Sequence, residues 1–180
     1  MKSNRQKIRD VSAKMTVVLK AGFILSIAVA ILAIAAILIL LFSGENTKSS
    51  FLSAFHVTAN NGAVLSIAPQ PLLCMFCFMF VDTLLVSFAI YFVYAIFDEM
   101  KKGSTPFSHQ NTVRIKYIAI LAIVLGIVGS YSDALADYYT IGELTWRLDA
   151  VGIISGMIIY CISFIFHYGC DLQRESDETL

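Results

Sequence analysis

Four apolar runs, spaced along only 180 residues, constrain this chain more than any other feature. They cover Ala21–Phe42, Leu72–Phe97, Val113–Ser132 and Ala150–Tyr168. A bilayer core is about 30 Å thick, so about 20 helical residues cross it. Four such runs predict an all-α membrane protein, built as an up-down bundle of four transmembrane helices. The hydrophobic fraction of 58% agrees, and little chain remains for a soluble domain. One integral membrane domain over 1–180 is expected, with spans near 15–42, 72–100, 106–132 and 150–169.

Charge sets the expected orientation. Lys2, Arg5, Lys7, Arg9, Lys14 and Lys20 precede the first run, and Lys101, Lys102, Arg114 and Lys116 lie between the second and third. With Arg174 in the tail, 11 of 13 basic residues fall on one side, against Lys48 and Arg147 on the other. Positive residues stay cytoplasmic, so both chain ends are expected on the cytoplasmic side. The basic N-terminal stretch reads as an orientation signal, with no direct nucleic-acid partner expected. The stretch Ala21–Gly44 has 24 uncharged residues. Signal-peptide cores run about 7–15, so this reads as a retained anchor.

The first outer connection, Ser43–Gln70, is long. Asn60-Asn61-Gly62 favours a tight turn, and a short β-hairpin is expected around it. An interfacial helix over Ser49–Thr58 is the alternative. Pro69 and Pro71 end either element before the second span. The second outer connection is expected over Asp133–Asp149, with Tyr138, Tyr139 and Trp146 at the interface.

Between the second and third spans, Gly103 suits a helix stop. Thr105 suits an N-cap, with Pro106 at the first helical position. Phe107 can plug the gap between two helix ends, and Ser108 can accept from backbone N–H groups. This is a stiff helix connection, with docking of a cytosolic partner as the other reading. The segment resembles the central signature of small bacterial four-span membrane proteins, the family called domain of unknown function 2975. The matching residues are Lys102, Gly103, Pro106, Phe107, Ser108, Asn111 and Arg114. Two residues separate Gly103 from Pro106, and Ile115 follows Arg114 where that family often has Leu. The resemblance implies an inner-membrane location and no established activity. It also implies, by association alone, a regulatory role beside a cytosolic helix-turn-helix regulator or another membrane protein.

Asp82 is the one acid well inside a run. Ten residues after Leu72, it is expected about 15 Å deep at 1.5 Å per residue. An acid at that depth is a functional hypothesis by default. Tyr160 lies at matching depth in the fourth run, with Ser163 one turn on, so an Asp82–Tyr160 or Asp82–Ser163 clasp is expected. A proton or cation relay through Asp82 is the sharper reading.

Cys74 and Cys77 form a CxxC near the outer end of the second run. Thiol oxidoreductase chemistry of the quinone-linked kind needs a second outer cysteine pair, and Cys161 and Cys170 lie toward the inner side. Buried packing residues are the plainer reading. Gly152 and Gly156 on the fourth run, and Gly126 and Gly129 on the third, permit close helix approach. They serve packing inside the chain or a homo-oligomer. No phosphate loop, nucleophile elbow or zinc motif occurs, so no cofactor or metal is expected. The functional expectation is a non-enzymatic sensor, regulatory or scaffold component. A small proton-coupled transporter using Asp82, or a thiol oxidoreductase using Cys74 and Cys77, are the alternatives.

Overall fold

The computed structural model describes residues 4–58, 64–66, 68–103, 105–141 and 145–178. The elements run α1 (Asn4–Phe42), α2 (Glu45–Leu52), β1 (His56–Thr58), β2 (Val64–Ser66), α3 (Pro69–Lys101), α4 (His109–Ile141) and α5 (Ala150–Glu178). Among the described residues, four helices are long and apolar enough to cross a membrane: Ile8–Phe42, Pro69–Lys101, His109–Tyr139 and Ala150–Ser176. The protein is a multi-pass membrane protein. Its exterior carries Val17, Leu25, Leu32, Phe42, Val151 and Ile165, all exposed. A lipid-facing surface needs such residues, and the interior can then be made of small ones.

The helices pack in chain order. α1 packs on α3, α3 on α4, and α4 on α5. Along α1 the buried positions are Ser12, Thr16, Ser26, Ala30, Ala33, Ala36 and Leu40. This stripe of small side chains lets α3 approach closely. Ser12 shares a crevice with Phe97 and Met100, and Leu40 one with Leu73. Midway, Ser87 Oγ stands 2.8 Å from Ser26 Oγ and 2.7 Å from the Thr83 carbonyl. Ser26 in turn donates to the Phe23 carbonyl at 2.8 Å.

The α4–α5 seam is made by glycine. A Cβ on Gly156 would stand 2.6 Å from Ile123 Cγ1 and 2.9 Å from the Ala119 carbonyl oxygen. One on Gly126 would stand 3.2 Å from Ile153, and one on Gly152 would stand 3.3 Å from Gly126 Cα. Gly129 differs, having nothing within 4 Å of its missing Cβ. The start of α5 is capped by Asp149, whose Oδ1 accepts from Gly152 N at 3.0 Å. Asp149 N donates to Ser130 Oγ on α4 at 2.8 Å, which fixes the cap to the neighbouring helix.

Several boundaries differ from those read in the sequence: α1 starts at Asn4, ahead of 15, and α5 runs to Glu178, past 169. α4 begins at His109, and its cap is Ser108, whose Oγ accepts from Asn111 N at 3.2 Å. Thr105 and Pro106 lie before it. A serine that can bond the third helical N–H outranks a threonine placed too early to reach it. At its other end α4 continues to Ile141, so Asp133 and Asp137 are helical instead of part of a loop. Thr145 donates to Asp137, and Arg147 lies 3.9 Å from the same carboxylate. The first connection holds the eight-residue α2, shifted from Ser49–Thr58, and then β1 paired antiparallel with β2. Their register is His56↔Ser66, Val57↔Leu65 and Thr58↔Val64. Asn60-Asn61-Gly62 lies outside the described residues.

Candidate functional site

Asp82 is on the flank of α3 that meets α4. It lines a cavity of about 400 Å³ with Phe55, Leu72, Met75, Phe76, Met79, Thr83 and Ser132. α3 supplies six of these from positions one helical turn apart, which is why one face of one helix makes most of the wall. Ser132 comes from α4, and Phe55 from the chain just after α2. Phe55 meets Phe76 edge-on, with ring centroids 5.7 Å apart, and Phe51 lies 5.1 Å from Phe55 and 6.1 Å from Phe76. The long first connection therefore roofs the cavity with aromatic rings. Oδ1 of Asp82 is buried and has no hydrogen-bond partner. Asp133, one residue beyond Ser132, is close enough to interact with Asp82 through its charge.

The clasp expected from depth matching is not formed. Asp82 makes no hydrogen bond to Tyr160 or Ser163. Ser163 donates to the Tyr160 carbonyl of its own helix at 2.6 Å, and Lys116 stands 5.7 Å above the Tyr160 ring. The physical reason is the helix order. α4 packs against both α3 and α5 and separates them, so equal depth does not bring those side chains together.

A second constellation forms where α3 ends and α4 begins. Gly103 takes φ of 96°, the left-handed conformation that closes a helix, and donates its N–H to the Met100 carbonyl at 3.1 Å. Asn111 is 0% exposed. Its Nδ2 donates to the Pro106 carbonyl at 3.3 Å, and its Oδ1 accepts from Arg114 Nη1 at 2.9 Å. The same guanidinium nitrogen lies 2.6 Å from Glu99 Oε1 on α3. Pro106, Ser108, Asn111 and Arg114 thus meet as one polar junction, with Glu99 as the member that the motif did not reveal. The neighbouring Asp98 carboxylate pairs with Lys102 at 2.5 Å and holds that ammonium above its ordinary pKa.

Phe107 does not plug the gap between α3 and α4. It lies on α5, 5.3 Å from the Phe166 ring and packed onto Gly169, and it is 41% exposed. Beside it, His109 and His167 stack edge to face with centroids 6.2 Å apart, and Cys170 Sγ is 3.6 Å from Thr112 Oγ1. Sequence reading missed this histidine pair because the two residues are 58 positions apart and meet only through helix packing. The four cysteines are free thiols: Cys74 is half-buried and Cys77 exposed. Among the described residues no cluster of histidine, cysteine and carboxylate side chains can hold a metal ion.

No family model, curated protein or solved structure matches the chain.

Proposed function

We propose that the chain is an up-down, four-span protein of a bacterial inner membrane, with both ends cytoplasmic, that works as a non-enzymatic sensor or regulatory component. The positive-residue asymmetry supports the orientation. One observation carries the sensor reading. The two helices that flank the Asp82 cavity are the same two joined farther along by the Glu99–Arg114–Asn111 junction. A ligand that shifts α3 against α4 at the cavity acts on a junction that faces the cytoplasm. Resemblance to the domain of unknown function 2975 family supports a regulatory role, with a cytosolic helix-turn-helix protein or another membrane protein as the partner class.

Proton-coupled transport is the second reading, favoured by the unpartnered, buried Asp82 oxygen. Proton flux into proteoliposomes separates the two. The sensor reading expects no flux above protein-free vesicles. Flux driven by a pH gradient and lost in Asp82→Asn, which cannot release a proton, would replace it with transport.

A further inference from the structure

We propose that the cavity beside Asp82 is a binding site for an organic cation with an apolar body, such as a quaternary ammonium or phosphonium carrying aryl groups. The inference rests on the sensor reading and supplies its ligand class.

The lining decides the charge. Among the described residues its one ionisable side chain is the Asp82 carboxylate, and no lysine or arginine among them lines the wall. Asp133 adds a second negative charge nearby, so the local field favours a cation. Asp82 Oδ1 is out of solvent and accepts no hydrogen bond from the protein. A quaternary onium ion carries no hydrogen-bond donor, so it would answer the charge of the carboxylate from the cavity and not the missing hydrogen bond of the buried Oδ1.

The remaining wall decides the body. Phe55 and Phe76 meet edge to face, so their rings turn different aspects to the space they border. A ring face attracts a poorly hydrated cation. Met75 and Met79 add polarizable, unbranched side chains that adapt to an irregular apolar shape. The oxygen donors are too few for a bare metal ion. A hard cation takes about six oxygen ligands, and among the described residues the side-chain oxygens here come from Asp82, Thr83 and Ser132. Thr83 Oγ1 already donates to the Met79 carbonyl at 2.7 Å. At about 400 Å³ the cavity has the size of a small-molecule site. Phe51 and Phe55 belong to the first connection, so the occupant would touch both a transmembrane wall and the segment that roofs it.

Tetraphenylphosphonium and tetraphenylborate are the probes, because they match in shape and differ in charge sign. The full chain in lipid nanodiscs should bind tetraphenylphosphonium saturably, above the partition into empty discs. Tetraphenylborate should show only partition. Asp82→Asn should weaken phosphonium binding at least tenfold, and Phe76→Leu, which keeps the charge and the apolar character, should weaken it severalfold. Absence of saturable phosphonium binding overturns the proposal, as does equal saturable binding of the borate. Unchanged affinity in a folded Asp82→Asn protein overturns it as well. If that variant does not fold, the comparison of the two probes on the parent chain still decides. Nanodisc binding is independent of orientation and of any cytosolic partner. Its failure is therefore distinct from failure of the sensor reading, which proton flux and topology labelling address.

Discussion

Arg114 on α4 lies 2.6 Å from Glu99 on α3, and the same nitrogen donates to Asn111 Oδ1 at 2.9 Å. One guanidinium thus neutralises a carboxylate on the neighbouring helix and satisfies a fully buried amide. Both charged side chains are largely shielded, with 22% and 25% of their surface exposed. Arg114→Ala should lower stability in detergent by about 2 kcal/mol, since it strands both Glu99 and the Asn111 oxygen. Arg114→Lys should recover only part, because an ammonium cannot reproduce the planar fork. A melting curve equal to the parent's for Arg114→Ala would show the junction to be idle.

Glycine substitutions should rank by space. Gly156→Ala forces a Cβ against the Ala119 backbone oxygen and Ile123, and should cost about 1–3 kcal/mol. Gly129→Ala meets open space and should be neutral or mildly stabilising through helix propensity. Thermal unfolding in detergent measures both. Equal effects at the two sites would contradict the α4–α5 seam.

Phe107→Ala should cost about 1 kcal/mol, well under the 3–5 kcal/mol of a fully buried Phe, because the ring is 41% exposed. A loss of several kcal/mol would mean that Phe107 is covered in the membrane-embedded protein.

Topology is testable by thiol labelling in a background with Cys74, Cys77, Cys161 and Cys170 replaced by alanine. Cysteines introduced at Ser3 and Ser176 should react only when the cytoplasmic face is opened. Those at Asn46 and Thr140 should react from outside. External labelling of Ser3 would invert the orientation.

The same alanine background tests the thiols. Cys77 is exposed and Cys74 only half-buried, so neither thiol contributes much packing, and Cys74→Ala/Cys77→Ala should express and melt as the parent does. A quinone-dependent thiol oxidation present in the parent and absent from this variant would reinstate the oxidoreductase reading.

Much of the helical architecture was legible because lipid imposes long apolar runs, and Gly103 announced a helix stop through its unique tolerance of positive φ. Ser108 reads as an acceptor in the sequence, but Thr105-Pro106 fits a helix start locally just as well, and only the Asn111 N–H on Ser108 Oγ decides between them. The end of α4 was missed because hydropathy falls at Asp133 and Asp137 while the backbone stays helical, with Thr145 and Arg147 meeting Asp137. The partner of Asp82 was beyond reach for a different reason. Depth can be counted along a span, but which helices are neighbours is decided by small-residue seams, and seams on three helices do not declare their pairing. Glu99 and the His109–His167 contact belong to that same class of information.

The row order of the helices has a mechanical consequence. With principal contacts only between α1 and α3, α3 and α4, and α4 and α5, the domain is wired in series. A disturbance at the Ser26–Ser87 contact reaches the Gly156 seam only after passing through both α3 and α4. Substitutions at the two terminal seams should therefore add independently, while any substitution in α3 or α4 couples to both sides. The Asp82 cavity and the Arg114 junction occupy the central pair. A load applied there is transmitted outward in two directions, whereas α1 and α5 each act on the rest through a single joint.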